Sequence, residues 1–447
     1  MLLRLLITTV LLMIMTDQYS IVYAQDTRST FSSNEPTVSD PVLKVEKVLD
    51  GLSFPTGMAF LGPDDILIIE KNNGTVHRVS NGVMSKEPLI DVNVANQVER
   101  GLLGIAIEKN KNGPTYVFLY YTESVGKDGN DVSSDPLGNR LYRYQLAENG
   151  TRLIKPQLLL NLPATPKPVH NGGIVTIGPD NNVYTVIGDV DLHRNPAQNK
   201  ENGKDVDGTS GILRITRDGK TIDPSVLGST YPLNLYYAYG IRNSFGIDFD
   251  PVTGNLWDTE NGDSYGDEIN LVDAGFNSGW RIVQGKPSIS QIYTNKTFNP
   301  DDLVDFGGKG QYSDPEFSWE APVGVTSIKF LNSNKLGEQY ENDMFVGDFH
   351  NGFLYHFDLN KKREGLLLKG SLADKLANNY YNDDELKQVI FGRDFGAITD
   401  IEVGLDGYLY ILSLNQGGPN CDINYPEIPC VKYNSEIKGV LYKIIPQ

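Results

Sequence analysis

The sequence predicts an all-β protein, a six-bladed β-propeller with long loops on the ligand face. One phrase recurs along the chain: a turn of Asp, Asn, Gly or Pro, a short apolar strand, and then Gly or Asn. Long apolar-periodic helices, which a parallel sheet would need, are absent between these phrases. Six phrases over about 400 residues give roughly 65 residues per unit, which leaves room for long loops. The phrases lie at residues 62–79, 113–123, 178–189, 250–262, 340–358 and 404–417. An open array of β-sandwiches is the alternative.

The two ends of the chain support closure of the ring. Residues 42–48, VLKVEKV, and residues 439–445, GVLYKII, both have the pattern of a strand. In a propeller such terminal strands complete one blade together, and this covers edges that would otherwise be open. We therefore expect the first and last strands to pair.

The N-terminal segment has the pattern of an export signal. An arginine near the start, an apolar run over residues 5–15 and small residues before position 25 predict a signal peptide at 1–24. The apolar run is too short for a membrane span, and an uncleaved anchor is the alternative. Residues 25–40 are polar and predict a disordered linker, so the propeller domain is expected at 41–447. A secreted, extracytoplasmic protein without a stable membrane span follows.

Charge and cysteines narrow the class of protein further. The net charge is −18, which argues against nucleic acid or an anionic membrane as a partner. The chain has two cysteines, Cys421 and Cys430, and in an oxidising compartment a disulfide between them is the default. The charge also means that an anionic ligand needs a locally positive pocket.

Four segments carry the residues expected at the mouth of the central channel. They are VERGLLGIAI at 98–107, HNGGIVTIG at 170–178, YGIRNSFGIDFD at 239–250 and TENGDSYGDEINLVDAGFNSGW at 259–280. Together, and in this order, they resemble the soluble quinoprotein glucose/sorbosone dehydrogenase family, which includes the aldose sugar dehydrogenases. The resemblance runs from about residue 45 to 447 and implies the propeller fold.

The resemblance implies a redox site for sugars. His170 falls where the family keeps its general base, which takes the proton of the anomeric hydroxyl while C1 passes a hydride to pyrroloquinoline quinone (PQQ). Imidazole suits this task because its ordinary pKa near 6.5 leaves it able to accept a proton at neutral pH. Arg242 and Asn243 match the family's pair that faces the quinone, and Gly172 and Gly173 would let a flat ligand approach. The expected partners are a small sugar and an external electron acceptor, and a homodimer is left open.

A calcium ion is implied by the same resemblance. Gly262 and Asp263 match a loop whose backbone carbonyls hold Ca²⁺ against PQQ, and calcium accepts such oxygen ligands. Asp267 and Glu268 would support that loop or bind a second calcium. Asp267 and Glu268 form an acidic cluster with Glu260 and Asp263, and a plain acidic surface is the alternative interpretation.

Several positions depart from the family pattern. The glucose-oxidising members meet the three carboxylates of PQQ with a lysine and two arginines, whereas this chain has His350, Ala397 and Thr399 there. Arg393 lies near in sequence and is the expected substitute. Glu99 replaces a glutamine and adds a negative charge close to a trianionic ligand.

Three functions remain open from the sequence. The first is a secreted, PQQ- and calcium-dependent dehydrogenase that oxidises the anomeric CH–OH of an aldose or a related sugar. The second is a non-catalytic extracellular propeller that binds a glycan or a protein partner after losing PQQ. The third is a calcium-dependent hydrolase such as a lactonase, a chemistry that other propellers perform. The retained His170 and calcium loop favour the first, and the missing cations favour the second.

Overall fold

The computed structural model describes residues 35–125, 135–191, 193–379, 384–415 and 438–447. These residues form 29 strands, one α-helix and six short 3₁₀ helices. The first strands are β1 (Thr37–Val38), β2 (Leu43–Ser53), β3 (Pro55–Gly62), β4 (Asp65–Glu70), β5 (Thr75–Ser80), β6 (Val83–Met84), β7 (Ile90–Asp91), β8 (Leu102–Lys109), β9 (Thr115–Ser124), β10 (Pro136–Leu146), β11 (Leu153–Leu162), β12 (Val175–Ile177), β13 (Val183–Ile187), β14 (Gly211–Ile215) and β15 (Tyr236–Tyr239).

The remaining strands are β16 (Ser244–Phe249), β17 (Leu256–Glu260), β18 (Asp267–Val272), β19 (Phe276–Asn277), β20 (Gln311–Tyr312), β21 (Phe317–Trp319), β22 (Val325–Phe330), β23 (Met344–Asp348), β24 (Leu354–Phe357), β25 (Leu376–Ala377), β26 (Ile390–Arg393), β27 (Ala397–Val403), β28 (Leu409–Asn415) and β29 (Lys438–Pro446). The helix α1 spans Pro287–Thr294. The 3₁₀ helices are Pro196–Gln198, Leu233–Leu235, Pro300–Asp302, Glu338–Tyr340, Gly370–Asp374 and Leu386–Gln388.

The strands form six sheets arranged as a propeller, which confirms the predicted all-β propeller. Strands β3, β8, β12, β16, β22 and β27 each begin one sheet, and each contacts the next in that order, with β27 returning to β3. These six strands therefore line the centre of a closed ring. Each of the six recurring phrases of the sequence contributes strands to a different sheet.

The sheets are not six equivalent units. Five take their four main strands from one stretch of chain, in sequence order from the centre outward. The sixth has the order β2-β29-β28-β27 and joins the two ends of the described chain. In that sheet β2 pairs antiparallel with β29 from Leu43 opposite Pro446 to Ser53 opposite Lys438. The expected pairing of the first and last strands is confirmed.

The end of the predicted linker is part of the propeller. Thr37 and Val38 form β1 and pair with Arg393 and Gly392 of β26, and Ser39 N donates to the Phe391 carbonyl at 2.8 Å. The prediction of a linker is therefore wrong for residues 37–38, because their backbone groups cover an edge of a sheet. The predicted signal peptide and most of the predicted linker lie outside the described residues, as do Cys421 and Cys430.

The core consists of apolar layers between neighbouring sheets. One layer buries Trp257 and Trp319 completely, together with Tyr355, between the sheet that begins with β16 and the sheet that begins with β22. Equivalent layers occupy the other junctions around the ring. Since each sheet buries its faces against two neighbours, the loops at the ends of the sheets rest on a close-packed frame.

Charged groups tie the innermost strands together. Lys329 Nζ on β22 lies 2.8 Å from Glu402 Oε2 on β27 and 3.5 Å from Asp248 Oδ1 on β16. Asp400 accepts the Met58 N–H at 2.8 Å and the Ser327 hydroxyl at 3.2 Å. Buried charges persist only when they are paired in this way, so these contacts link four neighbouring sheets. Among the described residues, no helix is both long enough and apolar enough to cross a membrane.

Candidate functional site

The candidate site lies at the end of the ring where the innermost strands begin. In an antiparallel sheet the start of the first strand and the end of the second strand lie at the same end. Glu99 precedes β8, His170 precedes β12, and Arg242 and Asn243 precede β16. Gly262 follows β17, which is the second strand of its sheet. The propeller therefore brings segments far apart in sequence to one rim.

His170 is held by a buried carboxylate. Its Nδ1 lies 2.6 Å from Asp189 Oδ1, and the Trp280 Nε1–H donates to Asp189 Oδ2 at 2.7 Å. Burial alone would raise the pKa of Asp189, but the hydrogen bonds from His170 and Trp280 keep it below its usual range. With Nδ1–H donating to Asp189, the Nε2 lone pair of His170 can accept a proton. The side chains of His170 and Asp189 are 9% and 1% exposed.

The sequence analysis missed Asp189 and Trp280. Asp189 follows β13, and β13 is the second strand of the hairpin that His170 precedes. This position in the hairpin was the available signal, since the end of a second strand faces the start of the first. Trp280 had no comparable signal, because it lies 91 residues from Asp189 in sequence.

Glu99 connects His170 to Asn243. Glu99 Oε2 accepts the His170 backbone N–H at 2.6 Å and the Asn243 Nδ2–H at 3.1 Å. Asn243 Oδ1 in turn accepts the Gly172 N–H at 3.3 Å. His170 has φ 58°, a conformation uncommon for a residue with a Cβ atom, and the bond to Glu99 helps to hold it.

The glycines beside His170 are explained by packing of the protein on itself. A Cβ atom on Gly172 would lie 2.4 Å from the Val186 carbonyl oxygen, and one on Gly173 would lie 2.4 Å from Leu103 Cβ. The expectation that these glycines leave room for a flat ligand is therefore not needed. They let the His170 loop lie directly against β13 and β8.

Arg242 lies between the His170 pair and the predicted calcium loop. Its guanidinium donates to the Asn261 carbonyl at 3.1 Å, lies 3.3 Å from Asp263 Oδ1, and stands 5.4 Å from the Trp280 ring. Its backbone N–H donates to Glu260 Oε1 at 2.7 Å. The buried Nε of Arg242 has no hydrogen-bond partner among the described residues. A positive group with an unused donor thus faces the same site as His170.

The predicted calcium ligands form two groups, the carboxylates of Asp267 and Glu268 and the backbone carbonyls of Gly262 and Asp263. Asp267 accepts the N–H groups of Gly262 at 2.7 Å, Val323 at 2.8 Å and Gly324 at 2.7 Å. Glu268 accepts the Gly285 N–H and the Asn270 side chain. Burial raises the pKa of both carboxyl groups.

Asp267 therefore supports the loop through backbone contacts, and Glu268 anchors a second segment. No described residue donates a hydrogen bond to the carbonyl oxygens of Gly262 and Asp263. That these two carbonyls hold a cation stays a prediction.

The positions expected to bind the PQQ carboxylates have other contacts. His350 follows β23, and its Nδ1 lies 3.3 Å from the Pro322 carbonyl oxygen. Ala397 is 1% exposed and packs in an apolar cluster with Phe54 and Leu414. The Thr399 hydroxyl donates to the Leu412 carbonyl at 3.2 Å.

Arg393 does not take the place of the missing arginines. It lies on β26, which β24 and β23 separate from the innermost strand β22. Its guanidinium stands 4.6 Å from the Phe353 ring, so cation–π packing holds it in the outer half of the sheet. The expected substitution by Arg393 is wrong for this reason.

Lys71 is a second cation near the site that the sequence analysis missed. It follows β4, the second strand of its sheet, as Asp189 follows β13. The residue is 2% exposed, and its Nζ donates to Asn72 Oδ1 at 2.7 Å. Burial lowers the pKa of Lys71 to about 7, while the negative charge of Glu99 acts in the opposite direction.

Comparisons with known proteins identify the family of the chain. The family model described as Glucose / Sorbosone dehydrogenase matches residues 52–421. An uncharacterised protein of Synechocystis sp. is 28% identical over 421 residues, which cover 87% of this chain and 89% of that protein. Quinoprotein glucose dehydrogenase B of Acinetobacter calcoaceticus is 32% identical over 273 residues, which cover 56% of this chain and 54% of that protein.

A solved structure shares the fold. The PQQ-bound aldose sugar dehydrogenase of Streptomyces coelicolor superposes with a TM-score of 0.62 at 20% identity, covering 92% of this chain and 98% of that one. The family match covers most of the chain and includes every segment of the rim. The chain belongs to the glucose/sorbosone dehydrogenase family.

Proposed function

We propose that this protein is a secreted oxidoreductase that oxidises the anomeric CH–OH of an aldose or a related sugar with PQQ as the hydride acceptor. Membership of the family supports sugar oxidation in general. The observation that carries the specific proposal is the His170–Asp189 pair, 2.6 Å apart, beside Arg242 and Asn243. A base oriented by a buried carboxylate, next to a fixed cation, is the arrangement that such a reaction requires.

His170 would take the proton of the C1 hydroxyl at Nε2. Proton arrival turns the imidazole into an imidazolium, and the adjacent Asp189 carboxylate stabilises that positive charge. Asp189 stays ionised in this step, since its hydrogen bonds keep its pKa low. The Trp280 N–H and the Glu99 carboxylate hold the two partners in orientation.

The residues at the reacting end of the site fit PQQ. Arg242 has an unused buried Nε–H, and the Gly262 and Asp263 carbonyls have no described donors, so a quinone oxygen and a calcium ion would each find suitable partners. PQQ, when bound, would accept the hydride from C1 and pass the electrons to an external acceptor. Two relatives with related folds carry a quinoprotein or PQQ-bound description, which supports this choice.

A titration calorimetry experiment tests cofactor use first. The purified mature protein is titrated with PQQ, with calcium in excess and after chelation of calcium. We expect binding that weakens when calcium is removed. Absence of PQQ binding in both conditions would contradict the proposal.

A variant then tests the base. The change His170→Ala should lower kcat for dye-coupled aldose oxidation by about 10²- to 10⁴-fold, the usual contribution of a general base. The matched control is His356→Ala. His356 also pairs with an aspartate, Asp343, at 2.9 Å, but on β24 away from the rim. Unchanged turnover in His170→Ala would refute the role of His170.

A second candidate function rests on the missing cations. Ala397 packs against Phe54 and Leu414 and has no charge, and the charge of Arg393 lies on Phe353 in the outer half of its sheet. This favours an extracellular propeller that binds a glycan or protein partner without PQQ. Glycan-array binding together with failed PQQ binding would favour this function, and measured sugar turnover would exclude it.

The secreted location is tested separately. If the segment 1–24 is removed on export, the N-terminal sequence of the protein recovered outside the cytoplasm begins at Gln25. A start at Met1 would indicate an uncleaved anchor.

A further inference from the structure

Arg281 directly follows Trp280, the residue that holds the carboxylate of the proposed base pair. The Trp280 Nε1–H donates to Asp189 Oδ2 at 2.7 Å, and Asp189 Oδ1 lies 2.6 Å from His170 Nδ1. The guanidinium of Arg281 stands 5.3 Å from the Trp280 ring, which is the range of a cation–π contact. A short series of measured contacts therefore connects Arg281 to the base.

The backbone that carries this side chain is held by its neighbours. The Arg281 N–H donates to the Gln198 carbonyl at 3.3 Å, and the Trp280 N–H donates to the Gly240 carbonyl at 3.0 Å. The Trp280 carbonyl accepts the Asn199 side-chain amide at 2.8 Å. Two other segments of the rim thus fix the chain at this point, while Arg281 itself is exposed to solvent.

Among the residues that the structure describes, Arg281 has no acidic partner. Other cations of the rim loops differ in this respect, since Lys167 pairs with Asp191, and Arg194 pairs with Asp207 at 2.6 Å. The chain has a net charge of −18, so an anion from solution is repelled by most of the surface. An arginine whose charge is not balanced by the protein is therefore the group that such an anion would meet.

Arg242 lies against the same indole ring but has partners of its own. Its guanidinium stands 5.4 Å from the Trp280 ring, donates to the Asn261 carbonyl at 3.1 Å and lies 3.3 Å from Asp263 Oδ1. Both guanidinium groups thus lie within 5.4 Å of one buried tryptophan. Of the two, Arg281 has the charge that a ligand can use without displacing a carboxylate of the protein.

The charge of Arg281 also acts on the loop that follows Asp189. Burial lowers the pKa of His193 in that loop, a hydrogen bond with the Gln198 backbone opposes this shift, and the positive charge of Arg281 lowers the pKa further. The buried Nε2 of His193 has no hydrogen-bond partner within the described part of the chain. The loops around Asp189 therefore contain two polar groups that the protein itself leaves unused.

We propose that Arg281 binds the carboxylate group of a ligand at the rim, and that this ligand is an acidic sugar. A guanidinium can donate two parallel N–H bonds to one carboxylate, and packing on the indole limits the freedom that Arg281 would lose on binding. A hexuronic acid carries its carboxylate at C6 and keeps the C1 hydroxyl that His170 would deprotonate. The substrate class rests on the proposed function, whereas carboxylate binding by Arg281 does not. A carboxylate of PQQ is the other source of the same chemistry, and binding experiments separate the two.

Titration calorimetry on the full chain with glucuronate and with glucose tests the proposal. The two sugars differ only at C6, which is a carboxylate in glucuronate and a hydroxymethyl group in glucose. Each is titrated into the protein as purified and into the protein supplied with PQQ and calcium. We expect glucuronate to bind about tenfold more tightly than glucose, the lower end for a charge-assisted hydrogen bond, because Arg281 is exposed. Added salt should reduce this preference, since it screens an exposed charge.

Three variants test whether Arg281 is the group responsible. Arg281→Gln should abolish the preference for glucuronate, and Arg281→Lys should keep part of it, because lysine retains the charge without the planar fork. Arg152→Gln is the matched control and should keep the full preference. Arg152 is an exposed arginine between β10 and β11, at the end of its sheet opposite the rim. Equal affinity of the wild type for the two sugars, including no binding of either, would overturn the proposal, as would a preference that survives in Arg281→Gln.

A PQQ titration and the kinetics separate the outcomes. Affinity for PQQ that falls about tenfold in Arg281→Gln, without a sugar preference in the wild type, would assign the carboxylate to PQQ and refute the acidic sugar. If the protein oxidises sugars, the ratio of kcat/KM for glucuronate to that for glucose should fall about tenfold in Arg281→Gln, mainly through KM. An unchanged ratio would refute the acidic sugar and leave the proposed function intact. Absence of turnover with both sugars would refute the proposed function alone, since calorimetry reports carboxylate binding directly.

Discussion

The change Asp189→Asn tests the central pair of the site with the smallest possible perturbation. Asparagine has the size of aspartate, and its Oδ1 can still accept the Trp280 N–H, which now lies 2.7 Å from Asp189 Oδ2. The side chain that contacts His170 Nδ1 at 2.6 Å then no longer carries a negative charge. When the amide nitrogen takes the place of Oδ1, it donates to Nδ1, moves the imidazole proton to Nε2 and blocks proton acceptance there, and the Asp191 N–H loses the acceptor that now lies at 2.7 Å.

The magnitude follows from these two effects. A hydrogen bond to a charged group contributes about 1.5–3 kcal/mol, which corresponds to roughly 10- to 150-fold in rate. Inversion of the tautomer adds to this, so kcat should fall by about 10²- to 10⁴-fold. The affinity for PQQ should change little, because Asp189 contacts His170 and Trp280 rather than the Arg242 guanidinium.

The assay is steady-state, dye-coupled oxidation of an aldose, with PQQ binding measured in parallel. Asp343→Asn is the matched control, since Asp343 makes the same kind of contact with His356 at 2.9 Å at the opposite end of the sheet. A tenfold or smaller loss in Asp189→Asn, or an equal loss in Asp343→Asn, would refute the argument that Asp189 orients the base.

Two further predictions concern stability. Lys329→Met should destabilise the fold by about 1.5–3 kcal/mol, because the largely buried Asp248 and the half-buried Glu402 would lose their cation; denaturant unfolding at pH 7 measures this, and an unchanged midpoint would contradict it. Asp348→Asn should change the pH dependence of stability. Burial raises the pKa of Asp348 from 3.8 to about 6, so the folded state binds its proton more tightly than the unfolded state. Stability that this group contributes below pH 3.8 is therefore lost as pH rises to and beyond about 6, and the full loss is about 3 kcal/mol at 1.36 kcal/mol per pKa unit. Unfolding curves for Asp348→Asn should be flatter than the wild type between pH 4 and 7, and an equal slope would count against this account.

Much of the fold was predictable from local patterns. The turn residues and alternating apolar positions of each phrase specify a strand through backbone conformation and side-chain burial, and each phrase contributes to a separate sheet. The terminal strands were predictable as partners because a ring must cover its edges. Thr37 and Val38 were missed because their short polar context resembles a linker, and only the edge of β26 gives them partners.

The sequence by itself determined which residue types stand at the rim. His170, Arg242, Asn243 and the Gly262–Asp263 loop were identified from motifs, and all of them lie at one end of the innermost strands or beside it. Their catalytic and cofactor roles stay predictions. The motifs identify these residues because the short stretches that contain them resemble those of a known family.

Only the tertiary structure decided how those residues are paired. Glu99 meets Asn243 across 144 residues, and Trp280 meets Asp189 across 91, so both contacts exist only in the tertiary structure. Pairing within one sheet placed Arg393 on Phe353, away from the innermost strand, and packing between sheets buried Lys71 beside the loop of Glu99. The distances between these side chains and their removal from water arise from packing between sheets. Together they determine the charge that each titratable side chain carries. The contacts between side chains and their pKa values therefore depend on the whole ring, whereas the positions of the strands and turns depend on the local sequence.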